Sequence, residues 1–289
     1  MTKVSVLMPV YKTPEAYLRA AIESILAQTF TDFEFLILDD CPTDDREQIV
    51  KSYTDKRIKY AKNPQNMGIS ASRNKLIDMA QGEYLAIFDH DDISLPERLE
   101  KEVAYLDTHP KCGVVSCAAE IFGAKHKIKK YPEYSHDIKV ALMHSCAMFH
   151  SAAMVRKSIL IDNNIQYEEE FSPAEDYRLW SRLIPFSEFY NIPEVLLKYR
   201  EHATNTSKTQ RNKMLEATYK MYAYNQVNHP ELYAEFQIRT NDTVRVRLFG
   251  FMPFLRVVRK DERMKVYLFD KLPLLTLKFT NKMSYRRLL

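Results

Sequence analysis

The amino-acid sequence predicts an α/β fold with a mostly parallel central sheet, followed by a helical C-terminal extension. Short apolar runs alternate with helical segments between residues 4 and 117, which is typical of a parallel sheet covered by helices on both faces. Polar clusters directly follow three of these runs, at residues 9–11, 39–40 and 89–92. Because parallel strands end at one edge, where such sheets bind ligands, we predict a single site there.

The individual elements follow from apolar runs and from the residues that begin and end helices. Thr13 before Pro14 is typical of a helix start with threonine as the N-cap, and Gln81-Gly82 is typical of a helix end. The predicted strands are residues 4–8, 33–38, 57–61, 84–88 and 113–117, and the predicted helices are residues 14–28, 44–53, 68–80 and 96–108.

The composition describes a globular protein and argues against several classes. The chain has 289 residues, of which 46% are hydrophobic, enough for a substantial core. Its five glycines form neither GxGxxG nor GxxxxGK[ST], which argues against a Rossmann dehydrogenase and a P-loop enzyme. A formal net charge of only +4 argues against nucleic acid as a partner.

Cysteine spacing and apolar run lengths predict a cytoplasmic location. None of the four cysteines forms a CxxC pair, so reduced thiols are expected. The first apolar run is too short for a signal peptide, and no run reaches the roughly 18 residues of a transmembrane helix. We therefore expect a protein that contacts a membrane, if at all, only at its surface.

Residues 208–289 form the predicted helical extension, and its last part is strongly basic. Residues 245–289 contain 12 lysines and arginines and three acids, a net charge of +9. Five residues recur 20 positions later, Val246, Leu248, Phe249, Pro253 and Leu255 as Val266, Leu268, Phe269, Pro273 and Leu275, which predicts a duplicated helix–turn unit. Basic residues beside large apolar ones favour binding to the surface of an anionic membrane. The alternative is that this segment packs on the catalytic domain or on the second subunit of a homodimer.

The acidic cluster Asp89-His90-Asp91-Asp92 is the strongest chemical signal. Its three carboxylates repel one another unless a cation or hydrogen bonds compensate. After a buried strand, they form an oxygen-rich site suited to Mg²⁺ or Mn²⁺. Such an ion can stabilise a departing diphosphate.

An ordered set of motifs resembles family-2 glycosyltransferases. The motifs are V-S-V-L-M-P-V-Y at 4–11, L-D-D at 38–40, S-R-N at 72–74, F-D-H-D-D at 88–92, E-D at 175–176 and Y-R-E-H at 199–202. The resemblance covers about residues 1–207. It implies a catalytic domain with the GT-A fold, a nucleotide-diphosphate-sugar donor and inversion at the anomeric carbon.

The resemblance also implies roles for individual residues. The segment that lies along the base and ribose of the donor matches Pro9, Val10 and Tyr11. The acid that accepts from the uracil imide matches Asp39 or Asp40, with Asp39 favoured. Further donor-binding roles fall on Arg73, Asp89 and His90. Asp91 matches the direct metal ligand, with Asp89 and His202 as further ligands of Mn²⁺ or Mg²⁺, and Asp92 would orient these acids.

Glu175 and Asp176 match the catalytic acids of the family, with Asp176 as the base. Ser172 followed by Glu175 is typical of a capping box, which would give Glu175 a structural task. We expect the helix N-terminus to lower the pKa of Asp176 and keep it ionised.

The function implied is inverting transfer of a sugar from a UDP-sugar to a hydroxyl of a glycan acceptor. The acceptor is expected to be a lipid-linked glycan or lipooligosaccharide, reached at the inner face of a bacterial cytoplasmic membrane. A sugar nucleotidyltransferase would need a glycine-rich loop where residues 9–12 stand. A non-catalytic nucleotide-sugar-binding protein would be expected to lose its acids. A two-carboxylate hydrolase would have no use for the uracil-site pattern.

Overall fold

The chain folds into two compact units, residues 1–228 and 229–289. The computed structural model describes residues 2–43, 46–241, 243–248, 252–260, 263–268 and 272–278. Within these residues, no helix combines the length and apolar character needed to cross a membrane.

A sheet of nine described strands organises the first unit. The strands are β1 (Val4–Val10), β2 (Phe33–Asp39), β3 (Ile58–Lys62), β4 (Tyr84–Ile87), β5 (Ile93–Ser94), β6 (Cys112–Gly123), β7 (Lys127–Lys129), β8 (Met154–Arg156) and β9 (Glu188–Glu201). Their order is β3-β2-β1-β4-β8-β6-β9-β5, with β7 paired to β6.

One half of this sheet is parallel and the other half is mixed. β1 pairs in parallel with β2 and β4, and β2 pairs in parallel with β3. β8 then runs antiparallel between β4 and β6, whereas β6 and β9 pair in parallel. All residues of β1 and β2 are buried, as expected for strands covered on both faces.

The described helices of the first unit are α1 (Glu15–Leu26), α2 (Arg46–Lys51), α3 (Ile69–Met79), α4 (Arg98–Thr108), α5 (Ser135–Ala141), α6 (Lys157–Asp162), α7 (Glu175–Leu183), α8 (Thr206–Thr209) and α9 (Arg211–Asn228). The first four match the predicted helices, although the predicted start at Asp44 lies outside the described residues. The prediction of Thr13 as an N-cap is wrong: Pro14 holds that position without a side-chain cap. Instead, Thr13 Oγ1 lies 2.9 Å from His90 Nδ1.

A glycine allows the connection between α3 and β4 to pass directly against β1. A Cβ at Gly82 would lie 2.5 Å from the backbone nitrogen of Ser5, closer than any side chain permits. The Gly82 amide donates to Ser5 Oγ at 2.8 Å. This contact sets the start of β4, the strand that carries the acidic residues at its other end.

Helix α9 is part of the first unit and not a free extension. Asn225 is fully buried, and its Nδ2 donates to the Leu142 carbonyl at 2.9 Å and to the Tyr177 hydroxyl at 3.1 Å. Met221 and Ala217 of the same helix are also buried. α9 therefore supports α7, the helix that begins with the predicted catalytic acids.

The predicted helical extension over residues 208–289 is correct only in part. Helices α8, α9 and α10 (Pro230–Asn241) agree with it, but the following segments are strands β10 (Thr243–Leu248), β11 (Met252–Lys260), β12 (Arg263–Leu268) and β13 (Leu272–Lys278). They form an antiparallel sheet in chain order. The helix–turn interpretation is wrong because sequences such as V-R-V-R-L alternate with the period of a strand.

The 20-residue repeat is a duplicated β-hairpin. Val246 pairs with Leu255 and Leu248 with Met252, and the pairs Val266–Leu275 and Leu268–Leu272 repeat this register. Each hairpin has a register shift at the same place, after Val246 and after Val266. Phe249 and Phe269 of the repeat lie outside the described residues.

We predict that Asn225→Ala lowers the free energy of unfolding by about 1–3 kcal/mol, because a buried carbonyl and a buried hydroxyl lose a hydrogen-bond donor. Urea unfolding measures this change. Asn228→Ala is the matched control: Asn228 is exposed, and among the described residues its side chain bonds only to the Tyr224 carbonyl of its own helix. Equal effects of the two variants would contradict the anchoring role of Asn225.

Candidate active site

The acidic loop, residues 89–92, follows β4 and is held by the distant end of β9. The amide of Asp89 donates to Ser151 Oγ at 3.1 Å. The amide of Arg200 donates to Asp92 Oδ1 at 2.8 Å, and Arg200 Nε donates to the Asp91 carbonyl at 2.7 Å. The residues after the acidic loop form β5, which pairs with β9. The D-H-D-D and Y-R-E-H motifs therefore meet, as the family resemblance implied.

Asp92 is the most enclosed acid of this loop. Its side chain is buried, and its Oδ2 has no hydrogen-bond partner among the described residues. Burial, followed by the charges of Asp91 and Asp89, raises the pKa of Asp92 well above its usual value. Burial and the same three acids also raise the pKa of the Tyr199 hydroxyl. Asp92 thus fits an orienting role better than contact with a ligand.

Asp91 and His202 form the part of the site suited to a cation. Asp91 Oδ2 lies 2.8 Å from His202 Nε2, and Thr204 Oγ1 lies 2.8 Å from His202 Nδ1. Across the described residues, no three His, Cys, Asp or Glu side chains form a ready metal cage. Mg²⁺ sites in phosphate-transferring proteins often use one or two protein ligands together with substrate phosphates. A carboxylate and an imidazole in contact fit such a site.

Arg73 joins the acidic loop to α7. Its Nη1 donates to Glu175 Oε1 at 2.7 Å and its Nη2 to Asp89 Oδ1 at 3.2 Å. The guanidinium also lies 5.4 Å from the ring centre of Tyr167. Although burial opposes its charge, Asp89 and Glu175 raise the pKa of Arg73, so it stays a cation. Arg73 therefore lies between two predicted site acids.

The capping box predicted for Ser172 and Glu175 is wrong. Helix α7 begins at Glu175, Ala174 holds the N-cap position, and no side chain caps the helix. The carboxylate of Glu175 instead bonds to Arg73, which the local sequence does not reveal because the two residues are 102 positions apart.

Asp176 lies beside Glu175, and its pKa changes in the direction opposite to the prediction. Burial, followed by the charge of Glu175, raises the pKa of Asp176 to about 6. The helix N-terminus contributes one short bond, from the Tyr177 amide to Asp176 Oδ1 at 2.6 Å, which does not offset those two effects. The thiol of Cys146 donates to the other oxygen at 3.8 Å.

The two aspartates at the end of β2 differ in how their oxygens are used. Asp40 accepts from Asn63 Nδ2 and from the amides of Met67 and Gly68, at 2.7–2.9 Å, so it holds the loop before α3. Asp39 accepts one bond on each oxygen, from the Cys41 amide at 2.9 Å and the Tyr60 hydroxyl at 3.0 Å. This difference supports the preference for Asp39, which stays a prediction.

Pro9 and Val10 are buried within β1, whereas Tyr11 is 41% exposed just beyond it. Lys12 follows with a positive φ of 47°, so the chain turns sharply there. His90 is placed against Thr13 at the same edge. The acidic loop therefore contacts the segment that follows β1 through His90.

Several residues at the site carried no signal of their own in the sequence. Arg200 and Ser151 hold the acidic loop, and Cys146 contacts Asp176. His150 lies 2.8 Å from the Tyr167 hydroxyl, and burial lowers its pKa to about 3, so it is neutral. Only Arg200 belongs to a motif that was singled out. The others have ordinary neighbours in sequence and reach the site through tertiary packing.

Comparison with known proteins identifies the class. The family model "Glycosyl transferase family 2" matches residues 5–163. A glycosyltransferase of Methanocaldococcus jannaschii is 37% identical over 212 residues, 68% of this chain and 70% of that protein. One of Rickettsia prowazekii is 32% identical over 226 residues, 74% of this chain and 68% of that protein.

Solved structures show the same fold. The structure of S. aureus TarS with UDP-GlcNAc superposes with a TM-score of 0.66 at 22% identity, covering 81% of this chain and 71% of TarS. The mannosyltransferase PcManGT of Pyrobaculum calidifontis, with GDP-Man and Mn²⁺, gives a TM-score of 0.62 at 16% identity over 82% of this chain and 70% of that one. The predicted α/β class with the GT-A fold is confirmed, and the protein is a glycosyltransferase.

The chain belongs to glycosyl transferase family 2. The resemblance drawn from the sequence motifs is therefore confirmed at the level of the family. The roles of individual site residues stay predictions.

The raised pKa of Asp176 predicts a loss of stability as the pH rises from about 4 to about 6. An unfolded aspartate titrates near pH 3.9, so the cost is absent below pH 4, grows as pH rises through about 6, and is then constant. Asp176→Asn should therefore raise the free energy of unfolding by about 3 kcal/mol at pH 7.5 and leave it unchanged at pH 4. Denaturant unfolding at both pH values measures this difference, with Asp162→Asn on the exposed end of α6 as control. A pH-independent effect would contradict the assigned pKa.

Proposed function

We propose that this glycosyltransferase transfers a sugar from a UDP-sugar to a hydroxyl of a glycan acceptor, with inversion, and that Asp176 is the base. The observation that carries the proposal is the link from Asp89 through Arg73 to Glu175, which brings the donor-side acids and Asp176 to one edge of the sheet. TarS, one of the structural neighbours, is solved with UDP and with UDP-GlcNAc, which supports a uridine donor here.

The donor would lie across the carboxyl ends of β1, β2 and β4. Tyr11 is exposed at the end of β1, and its ring would stack on the base of the nucleotide. Asp39, whose oxygens each accept one bond from the described residues, would accept from the imide N–H of uracil. The sugar diphosphate would then extend toward the acidic loop.

Asp91 and His202 would hold Mn²⁺ or Mg²⁺ together with the diphosphate of the donor. Their contact of 2.8 Å supports this, as does the Mn²⁺ found with GDP-Man in PcManGT. When bound, the ion would offset the charge of the departing diphosphate. Arg73 stays fixed between Asp89 and Glu175, so it orients acids on both sides of the reacting centre.

The transfer itself needs one proton acceptor. The acceptor hydroxyl oxygen attacks the anomeric carbon while the bond from that carbon to the diphosphate oxygen breaks. The hydroxyl proton passes to the Asp176 carboxylate, and UDP leaves. A pKa of about 6 leaves Asp176 ionised at neutral pH and still basic enough to take a proton.

We predict that UDP binds in the presence of Mn²⁺ or Mg²⁺ and only weakly with a chelator. Asp91→Ala should remove the metal dependence, because it deletes the carboxylate that contacts His202. Calorimetric titration of UDP with and without metal measures this. Asp78→Ala, on the exposed side of α3, serves as control; metal-dependent binding that survives in Asp91→Ala would overturn the metal assignment.

Asp176→Asn should keep UDP affinity within a factor of about two and reduce sugar transfer by about 10²-fold or more, since a carboxamide is not a base. The kcat/KM of the unaltered enzyme should rise with pH through about 6. Steady-state transfer, with product anomer analysis, measures both. Retention of the anomeric configuration, or equal loss of UDP binding, would contradict the proposed role.

We propose that the acceptor is a glycan of the bacterial surface, lipid-linked or lipooligosaccharide, reached from the cytoplasmic face of the membrane. The net charge of +9 over residues 245–289 supports binding to anionic lipids, since each basic residue near such a surface contributes about 1 kcal/mol.

The full chain is therefore expected to pellet with anionic vesicles at low salt, and a chain ending at Asn241 is expected to stay in the supernatant. Neutral vesicles are the control for the electrostatic attraction. If the full chain stays in the supernatant and forms a dimer that the shorter chain does not form, the segment binds a second subunit.

A further inference from the structure

Lys129, the last residue of β7, is a half-buried cation close to the predicted base. Its Nζ donates to the Tyr131 hydroxyl at 2.6 Å and lies 4.4 Å from the ring centre of Tyr131. It also lies 5.6 Å from the ring centre of Phe149. The ammonium group therefore packs against aromatic rings on one side.

Within the part of the chain that the structure describes, this lysine has no acidic partner. Among the described residues, the only hydrogen bond of Lys129 is the one to Tyr131, and no carboxylate lies within ion-pair distance. Burial, together with the like charge of Lys127, lowers the pKa of Lys129. Half-buried charges normally have a partner, because removing them from water is costly.

Lys129 is connected to Asp176 through Cys146 and to the acidic loop through a row of aromatic rings. Cys146 lies near enough to Lys129 for the two groups to influence each other electrostatically, and the Cys146 thiol contacts Asp176 Oδ2. An aromatic wall leads from Lys129 toward the acids: the ring centres of Tyr131 and Phe149 are 5.1 Å apart, and those of Phe149 and Tyr199 are 6.0 Å apart. Burial raises the pKa of the Tyr131 hydroxyl, and the charge of Asp176 adds to this effect.

We propose that Lys129 and Tyr131 form a subsite for an anionic group, a phosphate or carboxylate, of the substrate that reacts beside Asp176. The anion would pair with the lysine, the tyrosine hydroxyl supplies a donor, and the partly exposed ring of Tyr131 packs against the sugar that carries the anion. The inference rests on the proposed function, because it places the reaction at Asp176. The anion belongs either to the acceptor or to the sugar of the donor.

The first test is direct binding of inorganic phosphate to the UDP- and Mg²⁺-loaded enzyme. Reductive ¹³C-methylation gives each lysine an NMR signal, and Lys129→Arg assigns that of Lys129. Phosphate should raise the pKa of Lys129 by about one unit and leave that of Lys127, exposed on the same strand, unchanged. An unchanged Lys129, or an equal response of both lysines, would overturn the proposal.

The second test distinguishes the two sources of the anion, with Lys129→Met, Lys129→Arg and the matched control Lys127→Met. In the acceptor arm, binding of methyl glucoside 6-phosphate is compared with that of methyl glucoside; in the donor arm, UDP-glucuronate is compared with UDP-glucose. Lys129→Met should lose the preference for the anionic member of one pair by about 10-fold or more. Lys129→Arg should keep part of it, and Lys127→Met all of it.

The results of these tests separate this inference from the proposed function. Loss of preference in the acceptor arm assigns the anion to the acceptor, and loss in the donor arm assigns it to the donor sugar. Loss in neither arm, or weaker binding of UDP alone to Lys129→Met, overturns the subsite. Failure of the unaltered enzyme to bind UDP would instead overturn the proposed function.

Discussion

The buried guanidinium of Arg73 is the constraint on which the arrangement of the site depends. Its side chain is only 9% exposed, and it pairs with Asp89 on one side and Glu175 on the other. Removing one partner of such a pair leaves an uncompensated buried charge, which typically costs about 3–5 kcal/mol. The end of β4 and the start of α7 are therefore held at a fixed separation. Asp176 stands next to Glu175 and takes its position from this link.

The rest of the fold supports the two ends of that link. The end of β9 holds the acidic loop through Arg200, and Arg200 itself packs over the rings of Tyr17 and Phe122, at 4.1 and 4.5 Å. On the other side, α9 supports α7 through Asn225. Trp180 of α7 is fully buried, so the helix is anchored in the core behind the acids. Asp89 and Glu175, at the two ends of the link, are thus attached to rigid elements, which favours a site with a fixed geometry.

The predictions that held came from patterns that are local in the sequence. Apolar runs gave the strands of the parallel half to within two residues, and Gln81-Gly82 marked the end of α3. Predictions failed where a local motif had a distant competitor. Ser172 and Glu175 fit a capping box, but Arg73 offers the glutamate a charged partner. The repeat after residue 242 was detected correctly, but its alternating apolar and basic residues have the period of a strand, which the helix–turn interpretation overlooked.

The sequence by itself determined the family, the parallel half of the sheet and the edge at which the acids gather. These follow from chain-local periodicity and from ordered motifs, because parallel strands must end at the same edge. Only the tertiary structure decided the electrostatics. It paired Asp91 with His202 across 111 positions, assigned Asp40 to the loop before α3, and raised the pKa of Asp176 instead of lowering it. Burial and charge pairing depend on which distant residues meet, and a single sequence does not specify those contacts.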